Sequence, residues 1–532
     1  MKRRGKWLAA AVAMAGLLTA CTGAGQETGG QPPAPVTKEP VTMSVYLPKP
    51  QYIEDLSTNE FTLWYEQQTG VHIDWQIAGG NQAQAINLMF ASGDYPDIVM
   101  DSGISKLEQT VYGKQGVLLD LKDLIEEHSV YLKQILQEQE DIRKGITTPD
   151  GEIFGLPRVN NVYHTRYPSK MWVNRQWLEQ LGLSVPQTTE EFYRMLVAFR
   201  DGDPNGNGVK DEIPMAATSE VGPNGYEEFL MNAFLYYDGS KVMQENGTAI
   251  FTANQPAYRE GLRYLNRLYS EGLLHRDSPI MDRKRLKNMV EEGETATVGA
   301  VPALWYGIFT DVEGGSNRYQ DYAAIPPLMG PSGLRQTPMY NNGRVEWSAN
   351  ITKACKTPEI AIRWLDWFYS KEGTLTVQNG FEGVGWRDAK EGEIGLDGGQ
   401  AIWARLQPFG VMQNKCWMNI GVYYMDEKIR LGIIVEPTGE QTEQTMYQVT
   451  KELYEPYGID HCVRDSFFEP DQYNEFTQLR LQIDSEVKRS MAAFVSGEKS
   501  LETDWNAYVE RLNELGLARY IEIYQNMLDK AK

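Results

Sequence analysis

The sequence predicts an α/β protein built on a parallel sheet, and three observations carry that expectation. Between residues 41 and 100, stretches of alternating apolar residues take turns with stretches of helical periodicity, in the order strand, helix, strand, helix, strand. The chain has 532 residues, enough for about three ordinary domains or two large lobes. Its composition, 42% hydrophobic and 23% charged, belongs to a globule with a real core and excludes the disordered, collagenous and disulfide-stapled classes.

Ahead of the sheet, Lys2, Arg3, Arg4 and Lys6 precede an apolar stretch from Trp7 to Ala20, which is the pattern of a secretory signal. The stretch is too short for a helix that crosses a bilayer in about 20 residues. It ends in Leu18-Thr19-Ala20-Cys21, which resembles a bacterial lipobox and predicts cleavage before Cys21 with lipidation of its thiol. Residues 22–40 hold four Gly and four Pro with no aliphatic run, so they are expected to form an unfolded tether reaching at most about 60 Å. Removal of residues 1–20 takes away four positive charges and no acid, leaving the chain four units more negative than its formal −21.

The fold proper is expected to open with a strand through Val41, Met43, Val45 and Leu47, followed by a helix over 59–68 that Gly70 stops. Val71, Ile73, Trp75 and Ile77 alternate again, 82–91 is helical, Gly93 ends it, and 96–100 returns to extended structure. Thr188 and Glu191 stand in capping-box spacing and predict a helix over 189–200. Thr357 as cap and Pro358 in the first turn predict another, ending at Gly373. The C-terminus reads as two helices broken at Gly516.

Charge and motifs narrow the function. A pI near 4.9 excludes a nucleic-acid partner, which requires a basic surface to displace phosphate counterions. There is no GxSxG, HExxH, Walker A or strand-linked GxGxxG, and the five histidines, His72, His128, His164, His275 and His461, lack ligand-like spacing. A glycosidase carboxylate pair carries no local signature, so a surface glycoside hydrolase or lyase stays as a rival. Cys355, Cys416 and Cys462 allow at most one disulfide or three free thiols, and no CxxC pair exists for a zinc ribbon.

The sharpest local signal runs from Asp201 to Glu212 (DGDPNGNGVKDE), where oxygen-bearing side chains alternate with Gly as a hard Ca²⁺ ion requires. Two registers fit. One is the EF-hand register, with Asp201 first, Gly206 sixth and Glu212 twelfth. The other uses Asp203, Asn205, Asn207, the Val209 carbonyl, Asp211 and Glu212. In either, the metal is structural, because no open position or nucleophile accompanies it. The second signal is aromatic: 13 Trp and 29 Tyr, several in loop-like sequence. Trp305 and Tyr306, Trp386 and Trp417 are candidate rings for stacking on the C–H faces of sugars, whereas Trp64, Trp364, Trp367 and Trp505 sit at helical spacing and read as core.

Together the lipobox, ASGDYPDIV (91–99), GVLLDLKDLI (116–125), DGEIFGLP (150–157), DPNGNGVKDEIP (203–214), WLDWFYSKEG (364–373) and the segment 494–525 resemble extracellular solute-binding proteins of family 1. The similarity is to large lipoproteins of Gram-positive ABC importers and to alginate- and glycosaminoglycan-oligosaccharide-binding proteins. It implies a type II periplasmic-binding-protein fold, two discontinuous α/β lobes with a hinge and a ligand cleft. It implies a lobe from 41–165 plus about 338–390, and a second from about 166–337 plus 391–532 that carries the calcium loop 203–212. It favours the register beginning at Asp203. It further implies a non-enzymatic monomer, lipid-anchored at the outer face of the membrane, that captures an oligosaccharide for ABC permease subunits. A ligand sensor or peptide binder is the non-transport rival.

Overall fold

Val41–Pro48 lies in register beside Val71–Ala78 and pairs on its other side with Ile98–Met100, both parallel. The computed structural model describes residue 33 and residues 35–79, 82–220, 222–312, 315–340, 345–434, 442–463 and 470–530. The expected signal segment and Cys21 lie outside them. Met43, Val45 and Leu47 are buried on one face of the first strand, as their alternation requires. The helix between the first two strands, Glu60–Thr69, is fixed at both ends. The Asn59 side chain accepts from the amides of Phe61 and Thr62, and Gly70 takes the left-handed conformation at φ 76°.

This sheet grows to six strands, ordered Tyr424–Met425, Leu156–Asn160, Val345–Ile351, Ile98–Met100, Val41–Pro48 and Val71–Ala78. Val345–Ile351 runs antiparallel to both of its neighbours, so the sheet is mixed rather than purely parallel. A second core surrounds a four-stranded sheet, ordered Tyr322–Ile325, Met171–Asn174, Val298–Pro302 and Ile213–Met215. Thr189–Asp201 and Pro256–Ser270 pack there with the 27-residue helix Pro470–Ser496, which the sequence reading did not delimit, and with Trp505–Glu514 and Leu517–Lys530. Gly516, at φ 90°, breaks the last two as expected.

Three expectations change. Residues 391–434 complete the first lobe: Trp403, Trp417, Val422 and Ile433 are buried with Met43, Val45 and Trp364, and Tyr424–Met425 pairs with Leu156–Asn160. The partition near 390 followed sequence order, whereas strand pairing joins residues far apart in the chain. Thr357 makes no side-chain cap, although Pro358 does open its helix. That helix ends at Asp366, and Gly373 sits inside the next one, Lys371–Asn379, where its amide donates to the capping Ser370 hydroxyl at 2.9 Å. A Cβ at Gly373 would lie 2.0 Å from the Trp367 carbonyl oxygen, so close approach explains this glycine.

The chain leaves the first core after Asn160 and after Ile434 and returns to it at Val345. Because Leu156–Asn160 runs in the same direction as the three parallel strands and Val345–Ile351 against them, the crossings after Asn160 and before Val345 meet the sheet at its C-terminal edge. In the second lobe, Met171 pairs with both Pro302 and Ile325, so its first strand begins where two others end. The loops at these two edges therefore face one another, the position at which open α/β sheets bind ligands.

Candidate ligand cleft and metal loop

The second lobe's edge carries Trp305 and Tyr306 directly after Val298–Pro302. Trp305 is partly exposed, its ring lies over Gly307, where a Cβ would come within 2.2 Å, and no hydrogen bond occupies its indole N–H among the described residues. Tyr306 is buried, stacked on Tyr319 with centroids 5.4 Å apart and edge-on to Trp172 at 5.3 Å. Its hydroxyl lies 2.8 Å from that of Thr442, at the start of the helix Thr442–Val449. Tyr306 thus anchors Trp305, whose ring centroid is 5.7 Å away.

The other two expected rings are placed differently. Trp417 is 1% exposed and packs edge-on against Phe61 and Trp75, with its indole N–H donating to the Thr62 hydroxyl at 2.7 Å. Trp386 is buried and donates to the Thr376 hydroxyl at 3.3 Å. Both rings belong to the first core, so of the four only Trp305 and its support Tyr306 come together at the facing edges. Loop-like sequence around Trp417 concealed its burial, because its partners are distant in the chain, Thr62 by 355 positions.

On the first lobe's edge, Asp101 follows Ile98–Met100 in the left-handed region at φ 49°. Its carboxylate accepts from Arg158 Nη1 at 3.0 Å, the Ser348 hydroxyl at 2.7 Å and the Gly421 amide at 2.6 Å. A non-glycine residue in that conformation is uncommon, and three donors from separate segments hold it there. Near the last crossing, Arg430 pairs with Glu443, and His164 Nδ1 stands 3.7 Å from the same carboxylate. Burial by itself would raise the Glu443 carboxyl, but Arg430, His164 and Arg405 outweigh it and hold the group below its ordinary range. Arg405 is pushed down to about 10 by burial and by the Arg430 charge, with Glu443 opposing. The sequence reading singled out none of these charged groups, since only the fold assembles them.

The metal loop lies apart from this edge, after Thr189–Asp201. The Gly208 amide donates to Asp203 at 3.0 Å, Asn207 N to Asn205 Oδ1 at 3.0 Å, and Val209 N to Asn207 Oδ1 at 2.7 Å. The side-chain amides of Asn205 and Asn207 both reach Asp211. Gly206 and Gly208 have positive φ, 68° and 77°, which lets the loop curl so tightly. Both carboxylate oxygens of Glu212 are buried without a hydrogen-bond partner. Burial and the charges of Asp211 and Asp203 raise its carboxyl. Asp201 is instead gripped from outside by Arg200, at 2.8 and 3.0 Å. An all-oxygen set with an orphaned buried carboxylate fits a hard cation in the register that begins at Asp203. Among the described residues no group of three or more His, Cys, Asp or Glu is assembled as a metal site, so Asn and carbonyl oxygens must complete any such set.

Cys355 and Cys416 are buried thiols outside any disulfide, each pushed up to about 11 mainly by burial. Among the described residues, no helix is long and apolar enough to cross a membrane.

Comparison with known proteins agrees with this architecture. A family model described as bacterial extracellular solute-binding protein matches residues 45–375. The chain is 28% identical over 486 residues to the fructooligosaccharide ABC transporter substrate-binding protein FusA of Streptococcus pneumoniae serotype 4, covering 87% of this chain and 86% of that protein. The solved structure of FusA with kestose matches at a TM-score of 0.76 and 23% identity, over 92% of this chain and 99% of the other. A FusA EF-hand mutant in complex with fructo-nystose matches at 0.74 and 23%, over the same shares. The fold is that of type II periplasmic-binding proteins.

Proposed function

The chain belongs to the bacterial extracellular solute-binding protein family, and we propose that it is the subunit of an ABC importer that captures an oligosaccharide between its lobes and hands it to the permease. The observation that carries this is the alignment of nearly the whole chain, with the same two-lobed fold, to a protein whose named ligand is a fructooligosaccharide. The facing edges suit the task. Trp305 offers a partly exposed ring and a vacant N–H donor, the combination a sugar's C–H face and hydroxyls require. Closure would follow from tighter contact with ligand in the closed than in the open arrangement.

On this reading the protein performs no chemistry on its ligand. It acts as a monomer held at the outer face of the membrane by lipid on Cys21 and the tether 22–40. Asp203, Asn205, Asn207, the Val209 carbonyl, Asp211 and Glu212 would hold a Ca²⁺ ion. That ion supplies structural charge compensation for the buried Glu212 carboxylate and has no part in ligand chemistry. A thermal-shift and calorimetry panel of kestose, nystose, maltotriose, lacto-N-tetraose, trigalacturonate and a tripeptide mixture tests the assignment. Saturable binding of at least one saccharide without turnover is expected. Response to the peptides alone, or hydrolysis of a saccharide, would overturn it.

A further inference from the structure

The strand Trp403–Arg405 lies parallel to Ile433–Ile434, so its C-terminal end points the same way as the strand from which the chain leaves for the second lobe. Arg405 stands at that end. Its Nε donates to Asn379 Oδ1 at 3.0 Å, and its guanidinium lies 5.3 Å from the ring centroid of Phe409 and 5.6 Å from that of Trp403. Among the described residues the Nε to Asn379 bond is the hydrogen bond that Arg405 makes, and the residue as a whole is partly exposed. Phe409 is 51% exposed, and its other ring neighbour is Tyr52, 5.9 Å away, which follows the strand Val41–Pro48 of the first sheet.

Charge and hydrogen bonding run from this group toward the second lobe. Arg405 senses the charges of Arg430 and Glu443. Glu443 adjoins Thr442, whose hydroxyl meets that of Tyr306, and Tyr306 backs Trp305. Phe409 beside Arg405 and Trp305 on Tyr306 are thus an exposed and a partly exposed ring, one on each lobe.

We infer that Arg405 and Phe409 form the first lobe's half of the ligand site, opposite Trp305: the Phe409 ring stacks on the C–H face of a sugar unit while the guanidinium fork donates to a pair of its neighbouring hydroxyl oxygens. The inference rests on the oligosaccharide reading and adds to it the groups that fix one unit's orientation. The planar fork matches two adjacent acceptors at once, which an ammonium does not. Asn379, Trp403 and Phe409 hold the fork in place before ligand arrives, so little ordering is required on binding.

The test compares wild type with Phe409→Ala, Arg405→Lys and, as an exposed apolar control in the other lobe, Leu481→Ala, by calorimetry with kestose and with trigalacturonate. Each variant's melting temperature is read alongside. Phe409→Ala and Arg405→Lys are each expected to weaken the saccharide that wild type binds by about tenfold or more, with Leu481→Ala unchanged. Because Phe409 is half exposed, its variant keeps the fold even if Arg405→Lys does not. Wild-type affinity in a folded Phe409→Ala variant would overturn the subsite and leave the oligosaccharide reading standing. Silence of the wild type toward every saccharide of the wider panel would bring down both.

Discussion

Asp366 accepts the hydroxyl hydrogen of Ser129 at 2.5 Å, joining helical segments 237 positions apart in the chain. The same carboxylate takes the amides of Val130 at 2.7 Å, Tyr131 at 3.1 Å and Leu132 at 2.9 Å, so it caps the helix Tyr131–Glu138 from outside. That helix has no side-chain cap of its own, and a negative charge at its N-terminus also meets the positive end of the helix dipole. Asp366→Ala leaves those donors unpaired in a largely buried place and is expected to cost about 3 kcal/mol. Urea unfolding measures it, and a loss below about 1 kcal/mol would contradict the capping role.

Calcium should stabilise the protein through the loop 203–212. Adding Ca²⁺ to chelator-treated protein is expected to raise the melting temperature, and Glu212→Gln, which removes the buried charge, should abolish most of that rise. Asp201→Asn should leave it intact, since Arg200 already holds that carboxylate outside the loop. If Asp201→Asn alone removed the calcium response, the EF-hand register starting at Asp201 would be the correct one.

Stability should fall as pH rises through the range in which Glu227 loses its proton. This fully buried carboxyl is pushed from 4.5 up to about 7, mainly by burial, with backbone N–H groups and Lys241 and Lys488 opposing. The folded state holds the proton where the unfolded state has released it, so the contribution is complete below about 4.5 and is lost as pH climbs toward 7. At full extent it is about 3 kcal/mol. Glu227→Gln should flatten that slope in denaturation curves measured between pH 5 and 8. An unchanged slope would show that another group carries it.

How far the sequence reaches depends on the range of the interaction concerned. The first three parallel strands and the helices between them were legible, because Met43, Val45 and Leu47 alternate locally and Asn59 and Gly70 act on their own turns. The loop 203–212 stood out as a candidate for the same reason: its oxygen-bearing side chains fall within ten consecutive residues. The first lobe's claim on residues 391–434 was not, because it rests on pairs such as Tyr424 with Val159. The cleft edge was half legible. Trp305 announced itself as an aromatic after an apolar run, but Arg405 gains its meaning from Asn379 and Phe409 and from a crossing strand. Nothing in its immediate sequence distinguishes it from a surface arginine.

Trp305 and Trp417 should separate affinity from stability. Both were expected to stack on ligand, yet Trp417 is enclosed by Phe61, Trp75, Trp364 and Phe368, whereas Trp305 stays partly exposed over Gly307. Trp417→Ala removes a buried ring and strands the Thr62 hydroxyl, so a stability loss of about 3 to 5 kcal/mol is expected. Trp305→Ala loses much less buried contact and should cost about 1 kcal/mol or less in urea unfolding, while weakening saccharide binding about tenfold. Trp417→Phe keeps most of the packing and should bind saccharide as wild type does, which separates a folding defect from a binding one. Saccharide affinity that followed Trp417→Phe and ignored Trp305→Ala would place the ligand against the first core instead of between the two edges.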